Sequence, residues 1–582
     1  MKKVIIFCTV IALLFIMLVS CEPKIVEEES VITFAVASDI HVYANSKFTA
    51  DDIDHYSNVD KTIHLSEPIF ASVADEIIEK KYSFVLLTGD LTEYGDEESH
   101  RATIEILKKI EDAGTEVYVI NGNHDVMSNT NRKSFSVTQA EFSELYSDFG
   151  YKDADSVLPG TLSYSLVIKD KFRLIALDNI AYYTDADKTE MTEELSDEKL
   201  DWVTDQILRS EQEGTVPILI AHIGLLSHWP KIATAIDVGA APDNLYFYSD
   251  VAEMGERIGF VGHSHLNDIK SYGSGENVYN EIMTGSTCFL QANYRSVSYS
   301  GNEFSVKTNT LTKIDPKYIS PLVSDDIKNA VENDFPGYHK EHFSVSIKDT
   351  VKRKFNGIFN KINLGYDDFQ NYLSNKLIPM IFNLPLYASD DDTSVSMQEI
   401  LARYDIALPA SDYKVLSDII PTIVGSLVKG DENLRDSIEM KIAKYAVYSV
   451  VYLLNEHSDE IKTFQDEDID INIDLNKLFI EGVLECYDSN LMPMLINIIK
   501  KSNNTKIKVV FVLIQNSFKS VKQFSDVIEE MSGGLIDDMD KYFVEKEIKF
   551  DELIEKGIFD NYLADLLTDE KPSDREITIT AQ

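Results

Sequence analysis

Residues Val117–Asp125 have the sequence VYVINGNHD, an apolar run that ends in polar side chains. The run Val117–Ile120 predicts a buried strand, because apolar and β-branched residues fill it and turn-forming residues follow it. The tetrapeptide Gly122–Asp125 then lies just past the end of that strand. Amide oxygens, carboxylates and imidazoles at such a position can bind metal ions. The stretch therefore predicts a strand that brings metal ligands to one rim of a sheet.

Four other stretches have the same arrangement. Apolar runs that predict buried strands are Ile32–Ala37, Phe84–Thr88, Ile218–Ala221 and Ile258–Val261. The polar residues that follow them are Asp39, His41, Asp90, His222, His263 and His265. Helical patterns lie between the strands, at Glu67–Lys80, Glu97–Ala113 and Ser196–Glu213. This alternation predicts an α/β fold around a largely buried sheet, in which ligands distant in sequence converge.

The residue types indicate a pair of divalent metal ions. Carboxylates bridge and neutralise paired ions, imidazoles suit Zn, Fe and other transition metals, and an Asn carbonyl adds a neutral oxygen. Two ions about 3.5 to 4 Å apart can hold a bridging hydroxide and clamp the attacking and leaving oxygens of an in-line displacement at phosphorus. The sequence therefore predicts a two-metal site for phosphoester hydrolysis, with Mn, Fe or Zn as the metal.

The five segments resemble the signature of the calcineurin-like metallophosphoesterase superfamily, which is DxH, GD, GNH(D/E), H and GHxH. The resemblance spans roughly Ile32–Leu311 and implies a β-sandwich flanked by helices. It implies that one metal is bound by Asp39, His41 and His265. It implies that the other is bound by Asn123, His222 and His263. Asp90 would bridge the two metals.

The same resemblance assigns roles to the two residues after Asn123. His124 would contact the phosphoryl group, stabilising its charge or protonating the leaving oxygen. Asp125 would orient His124 or a metal ligand. These two are the predicted catalytic residues.

A narrower resemblance lies in the sequence around the signature. The segments that carry it are Gly89–Thr92, Tyr94–Gly95, His100, Phe142–Tyr151 and Leu177–Asp178. They resemble a branch of secreted or surface-anchored bacterial phosphodiesterases that act on cyclic nucleotides and have a helical C-terminal domain. In that branch His228 would line the substrate pocket. Its alternative is a loop histidine beside Trp229 and Pro230.

The first residues resemble a bacterial lipoprotein signal. Lys2 and Lys3 precede an apolar core, Val4–Val19, and Leu18–Cys21 resembles a lipobox. The core is shorter than the roughly 20 residues that a spanning helix needs. Residues 1–21 are therefore predicted to be a signal peptide, with Cys21 lipidated. Residues 22–30 would form a tether, and the protein would be extracytoplasmic and lipid-anchored; an uncleaved N-terminal anchor is the alternative.

Charge and cysteine content restrict the partners. With 54 basic and 98 acidic residues the net charge is −44, which disfavours binding to long nucleic acids. The expected partners are a small phosphoester substrate and, through the lipid, a membrane; the sequence does not indicate whether there are protein partners. After the signal and lipid cysteines, only Cys288 and Cys486 could form a disulfide, and Cys288 has the context of a small buried thiol.

The second half of the chain has a different pattern. Asp315–Pro321 indicates a linker. Long apolar-periodic stretches follow, at Ile347–Phe359, Phe369–Phe382, Ile438–Leu454 and Val509–Met531. We therefore predict a catalytic domain over residues 31–312 and a mostly helical region over residues 313–582, long enough for two subdomains.

Two classes of function remain open for the whole chain. In the first, it is a cell-envelope hydrolase whose helical half shapes the site, and its substrates are cyclic nucleotides, other small phosphodiesters or, alternatively, phosphomonoesters such as nucleotides. In the second, it is a surface-binding lipoprotein in which the helical half has the main role. The complete ligand set favours the first class for the catalytic half.

Overall fold

A computed structural model describes residues 31–457 and 574–581 of the 582-residue chain. Within the first range the gaps are 58, 60, 129–134, 184–194, 227, 229–254, 256, 275–276, 362–370, 390–393, 404–405, 432–433 and 435–436. The predicted signal peptide, Cys21, the tether and Cys486 lie outside the described residues.

Two β-sheets form the centre of the structure. In chain order the strands are β1 (Ile32–Ala37), β2 (Phe84–Thr88), β3 (Glu116–Ile120), β4 (Ser156–Val157), β5 (Tyr164–Ile168), β6 (Phe172–Leu177), β7 (Val216–Ala221), β8 (Ile258–Val261), β9 (Asp268–Ser274), β10 (Asn277–Met283), β11 (Asn293–Ser300), β12 (Glu303–Thr310) and β13 (Glu576–Thr580). The six-stranded sheet has the order β13-β12-β11-β1-β2-β3, and the seven-stranded sheet has the order β4-β5-β6-β7-β8-β10-β9.

Helices flank the sheets and continue beyond β12. In chain order they are α1 (Ala50–Tyr56), α2 (Ser66–Lys80), α3 (Glu97–Asp112), α4 (Gln139–Leu145), α5 (Asp197–Glu213), α6 (Asp325–Lys361), α7 (Ile378–Phe382), α8 (Met397–Ala402), α9 (Ile420–Lys429) and α10 (Ile438–Glu456). Helix α6 is kinked at Asp334, where the backbone has φ −155° and ψ 81°, and Pro336 follows the kink. Short 3₁₀ turns lie at Asn45–Lys47, Ile63–Leu65, Tyr151–Asp153, Pro316–Tyr318 and Leu416–Ile419, and a π-helical turn lies at Leu373–Leu377.

The two sheets pack face to face. Phe34 of the first sheet lies 6.3 Å from Phe172 and 6.0 Å from Phe260 of the second sheet, measured between ring centroids. These rings belong to one buried cluster that takes side chains from both sheets. A second cluster joins the outer face of the first sheet to α2 and α3. The predicted α/β sandwich flanked by helices is therefore confirmed.

The predicted elements of the first half are present. Strands β1, β2 and β8 have the predicted bounds, and β3 and β7 begin one and two residues earlier than predicted. Helices α2, α3 and α5 lie where the sequence pattern placed them. In the second half, α6 and α10 cover two of the predicted helical stretches, whereas Val509–Met531 lies outside the described residues.

One strand comes from the far end of the chain. Strand β13 pairs antiparallel with β12, so that Val306 lies opposite Ile577 and Phe304 opposite Ile579. The chain therefore leaves the first sheet after β12, continues through helices α6–α10, and residues 574–581 lie again at the edge of the same sheet. The sequence pattern did not indicate this strand. Among the described helices, none is both long enough and apolar enough to span a membrane.

Candidate metal centre

The predicted ligands meet because each follows the carboxyl end of a strand. Strands β1, β2 and β3 are parallel neighbours in the first sheet, and β7 and β8 are parallel neighbours in the second. Loops that follow parallel strands lie at the same edge of a sheet, which is the usual ligand-binding edge. The residues brought together there are Asp39, His41, Asp90, Asn123, His222, His263 and His265.

Asp39, His41 and His265 form the first ligand group. Nε2 of His41 lies 3.0 Å from Nε2 of His265, and Asp39 Oδ1 lies 3.5 Å from the latter atom. The side chains of Asp39 and His41 are fully buried. Such a cluster of donor atoms is compact enough to hold one metal ion.

Asn123, His222 and His263 form the second ligand group. Asn123 Oδ1 lies 3.1 Å from Nε2 of His222 and 2.9 Å from Nδ1 of His263. Asp90 lies between the two groups, with Oδ1 at 3.3 Å from His222 Nε2 and Oδ2 at 3.7 Å from His41 Nε2. Its two oxygens therefore face different groups, as a bridging carboxylate requires.

Backbone carbonyls and a carboxylate orient the imidazoles. His222 Nδ1 lies 2.8 Å from the Thr88 carbonyl oxygen, which can only accept a hydrogen bond. His222 therefore carries a proton on Nδ1 and can offer Nε2 to a metal. His41 Nδ1 lies 2.9 Å from the Glu93 carboxylate, which favours the same orientation.

The electrostatics of the cluster suit divalent cations. Burial raises the pKa of Asp39, and repulsion from the nearby Asp90 carboxylate adds to this. Burial alone would also raise the pKa of Asp90, but His222 and His124 outweigh it and hold that pKa well below its usual range. Burial lowers the pKa of His41 to about 4, so its imidazole is neutral, which is the form that binds metal. Burial alone would lower the pKa of His222, but Asp90 and Asp39 outweigh it and raise that pKa to about 9, so this histidine must release a proton when it binds a metal. With that proton released, the buried carboxylates and imidazoles form a donor set that fits two metal ions.

His124 lies at the more open side of the cluster. Its side chain is 31 % exposed, and Nε2 lies 3.9 Å from Asp90 Oδ2. Its Nδ1 lies 2.6 Å from the Glu93 carbonyl oxygen, so the proton on Nδ1 is directed there. Nε2 is therefore the ring nitrogen that faces Asp90 and the ligand cluster.

Asp125 holds two ligand loops together. Its carboxylate accepts hydrogen bonds from the backbone amides of Leu91, Thr92 and Gly122 at 3.1, 2.8 and 2.8 Å. The first two amides follow Asp90 and the third precedes Asn123. Asp125 is fully buried, and these contacts position the loops that carry Asp90 and Asn123.

Backbone strain is concentrated at the ligands. The φ angles of Asp39, His41, Asp90, His263 and His265 are 50°, 46°, 49°, 71° and 61°. Left-handed backbone is uncommon for residues other than glycine and is found most often at functional sites. The glycines between the ligands allow close approach: a Cβ added at Gly122 would lie 2.2 Å from the Asp90 nitrogen.

Glu93 is a site residue that the sequence analysis missed. Its carboxylate lies 2.9 Å from His41 Nδ1 and 2.6 Å from Lys61 Nζ. Burial alone would raise the pKa of Glu93, but Lys61 and His41 outweigh it and lower that pKa to about 2. The residue lies three positions after Asp90, between the two short segments that carried the family resemblance. Nothing in the local sequence distinguishes it from the acidic residues that follow, Asp96, Glu97 and Glu98.

His228 is not brought to the metal ligands by any contact in the described part of the chain. Its Nδ1 lies 2.6 Å from Asp268 and its Nε2 lies 2.9 Å from Glu281, and the side chain is fully buried. Burial alone would lower the pKa of His228, but the two carboxylates raise it to about 9. Because both ring nitrogens are engaged, a substrate would have to displace a carboxylate to bind this histidine.

Residues 32–267 match the family model of the calcineurin-like phosphoesterases. The match covers less than half of the chain and includes the whole set of predicted metal ligands. No curated protein matches the chain.

Solved structures are similar to the same half. A dimetal phosphatase from Danio rerio has 14 % identity and a TM-score of 0.36, over 48 % of this chain and 96 % of its own. A purple acid phosphatase from seeds of yellow lupin (Lupinus luteus) has 15 % identity and a TM-score of 0.32, over 48 % of this chain and 52 % of its own. At these scores the likenesses carry no argument about substrate or partner.

Proposed function

We propose that the chain is a two-metal phosphoester hydrolase of the bacterial cell envelope, acting as a phosphodiesterase on cyclic nucleotides or similar small phosphodiesters. The observation that carries this proposal is the position of Asp90, whose two oxygens lie 3.3 Å from His222 Nε2 and 3.7 Å from His41 Nε2. A carboxylate between two sets of nitrogen and oxygen donors suits a pair of Mn, Fe or Zn ions.

The residues around the cluster have separate tasks. A bound metal pair would supply Lewis acidity and lower the pKa of water. His124 would contact the phosphoryl group through Nε2, because its Nδ1 faces the Glu93 carbonyl. It would stabilise charge on that group or, when both ring nitrogens carry a proton, protonate the leaving oxygen from Nε2. Asp125 would hold the loops of Asp90 and Asn123 together, because its carboxylate accepts a hydrogen bond from a backbone amide of each loop.

Charge favours a small substrate over a polymer. The net charge of −44 repels long nucleic acids, whereas a small anion can be held locally by the metals. The resemblance to the cyclic-nucleotide branch supports a phosphodiester. Phosphomonoesters are the alternative substrate class. The relative rates of diester and monoester hydrolysis decide between the two classes.

The test uses the full chain, extracted in detergent, stripped of metal with a chelator and then supplied with Mn²⁺, Fe²⁺ or Zn²⁺. The substrates are 2′,3′- and 3′,5′-cyclic nucleotides, an aryl phosphodiester and an aryl phosphomonoester. Metal-dependent cleavage with a preference for the diesters supports the proposal. A preference for the monoester replaces the phosphodiesterase by a phosphomonoesterase, and two bound metals without hydrolysis of any substrate would contradict the hydrolase.

The cell-envelope location has its own test. Cys21 lies outside the described residues, and its lipidation rests on the signal-like sequence before it. Mass spectrometry of protein isolated from membranes should find a lipid-modified N-terminus at Cys21. An intact Met1 would contradict the lipoprotein assignment, and Cys21→Ser should retain activity while losing the lipid.

A further inference from the structure

The loop Gly262–Asn267 connects β8 to β9 and carries a ligand of each group, His263 and His265. Its beginning is fixed within the catalytic domain, because the Gly262 amide donates to the His222 carbonyl at 2.9 Å. Its end is fixed from outside that domain. The Asn267 amide donates to the carbonyl of Val428, in the last turn of α9, at 3.1 Å.

Asn267 joins three parts of the chain. Its side-chain amide also donates to the Val428 carbonyl, at 3.0 Å, and its Oδ1 accepts from the Gly285 amide at 3.3 Å. The residue after Gly285 is Ser286, whose hydroxyl donates to the Asp39 carbonyl at 2.6 Å. Asn267 is fully buried. It therefore connects the end of α9 to the loop that carries His263 and His265 and, through Ser286, to Asp39.

The carbonyl groups at the end of α9 accept hydrogen bonds from outside the helix. The last carbonyls of a helix need partners outside the helix, and here the catalytic domain and the returning strand segment supply them. The amide of Asp574 donates to the Gly430 carbonyl at 2.9 Å, and Arg575 donates to the Lys429 carbonyl at 3.2 Å. Helix α9 is therefore held between the metal-ligand loop and the segment that leads into β13.

An aromatic contact makes a second connection to the same ligand. The ring of His265 lies 5.4 Å from the ring of Phe289, and that ring lies 5.0 Å from Phe343 of α6. Phe343 is buried. Two separate helices of the helical region thus support the side of the cluster on which His265 lies.

We propose that Asn267, seated on the C-terminal end of α9, is a positioning residue through which the helical region holds His265 in place for metal binding. This inference rests on the proposed metal site and adds the role of the helical half to it. An ordered His265 leaves less conformational entropy to lose on binding, so that the metal held by Asp39, His41 and His265 binds more tightly.

Two glycines provide a matched pair of variants. Gly430 and Gly214 both end a helix in left-handed conformation, with φ 63° and 69°. A Cβ at Gly430 would lie 2.3 Å from the Asn267 carbonyl oxygen, whereas a Cβ at Gly214 would meet nothing within 4 Å. Gly430→Ala and Gly214→Ala therefore share the local backbone strain, and only the first pushes α9 away from Asn267.

The experiment measures Mn²⁺ binding to the metal-free full chain by calorimetry, together with the melting temperature before metal is added. We expect Gly430→Ala to weaken one of the two Mn²⁺ sites by about 10- to 100-fold, with the other site and the Gly214→Ala variant close to wild type. Asn267→Ala should give the same pattern. Similar melting temperatures for the two glycine variants would exclude a general loss of folding as the cause.

Unchanged Mn²⁺ affinity in Gly430→Ala and Asn267→Ala would overturn the inference while leaving the proposed hydrolase intact. Failure of the wild type to bind any of Mn²⁺, Fe²⁺ and Zn²⁺ would instead overturn the metal site itself. Where Gly430→Ala does not fold, Phe343→Leu tests the second connection. A selective loss at one site then supports the inference, and wild-type affinities contradict it.

Discussion

Glu93 Oε2 lies 2.9 Å from Nδ1 of His41, on the side of the imidazole opposite to the Nε2 that lies near Asp90 and His265. The carboxylate also contacts Lys61 Nζ at 2.6 Å. A charged partner on the remote ring nitrogen fixes the tautomer and the direction of the metal-binding nitrogen. Glu93 therefore controls a ligand without being one.

Glu93→Gln should weaken metal binding by about 10- to 100-fold, because the amide cannot hold both the Nδ1 proton and the Lys61 ammonium as the carboxylate does. Since the pKa of Glu93 is lowered to about 2, the group is ionised throughout the usual assay range and the effect should not vary with pH above about 4. Mn²⁺ titration of the metal-free protein measures it. Glu97→Gln, at an exposed position in α3, is the matched control, and equal affinities in the two variants would refute this role.

His124→Ala should retain both metals and lose about 10² to 10⁴ in turnover, because the residue contacts substrate and leaving group while the ligands stay in place. Metal content by mass spectrometry and kcat on an aryl phosphodiester measure the two effects separately. Loss of metal in this variant would show that the imidazole is a ligand.

Asp90→Ala should reduce turnover by several orders of magnitude and lower the metal content, because it removes the carboxylate that faces both ligand groups. Asp90→Asn keeps the shape of the side chain and one oxygen, and should be intermediate in metal content. Near wild-type turnover in Asp90→Ala would contradict the bridging role.

Buried histidines join the catalytic domain to α6 and should make folding sensitive to acid. His64 Nε2 lies 2.8 Å from the Tyr338 hydroxyl, and the ring of His64 lies 5.5 Å from the ring of His342. His339 Nε2 lies 2.9 Å from the Thr62 hydroxyl. Burial, and after it the proximity of His342, lowers the pKa of both His64 and His339 to about 3.

We therefore expect the contribution of these two histidines to the free energy of unfolding to be fully present above about pH 6.5. It should be lost as the pH falls toward 3, because in this range the histidines of the unfolded chain bind protons and those of the folded chain do not. Each histidine can change the free energy of unfolding by up to about 1.4 kcal/mol per pH unit in this range. Urea unfolding of His64→Gln/His339→Gln should show a shallower dependence on pH than the wild type. His55→Gln, in the exposed part of α1, is the control, and identical slopes for all three proteins would contradict the expectation.

Ile579→Ala should lower the free energy of unfolding by about 2 to 4 kcal/mol, because Ile579 of β13 is buried in the cluster between the two sheets. Thr580→Ala, at an exposed position of the same strand, should cost about 1 kcal/mol or less. Chemical unfolding followed by tryptophan fluorescence measures both. Equal costs would mean that β13 adds no core packing to the catalytic sheet.

The sequence predicted the parts of the fold that are determined by short stretches of neighbouring residues. The apolar runs before Asp39, Asp90 and His222 marked strands, and spacing after each run marked the ligands. The contacts of His228 could not be predicted, because its partners are 40 and 53 positions away and belong to a hairpin without a motif. Its side chain lies in a buried ion cluster, whereas the pattern allowed a substrate pocket or a loop.

Strand β13 was missed for a related reason. Residues Glu576–Thr580 have an alternating pattern, but five residues cannot show which sheet they join, and their partner β12 lies more than 260 positions earlier. Glu93 shows the same limit at short range. Its role depends on contacts with Lys61 and with Nδ1 of His41, and no feature of the sequence around Gly89–Asp90 indicates either contact.

The return of the chain to its first sheet has a consequence for biosynthesis. Strand β13 is the last strand to be synthesised. All residues that form the metal site are therefore made before the strand that covers the edge of β12. A nascent chain stopped within the helical region would expose the unpaired edge of β12, which is a template for aggregation. A chain truncated before residue 574 would therefore keep every metal ligand and lack the strand that covers the edge of the catalytic sheet.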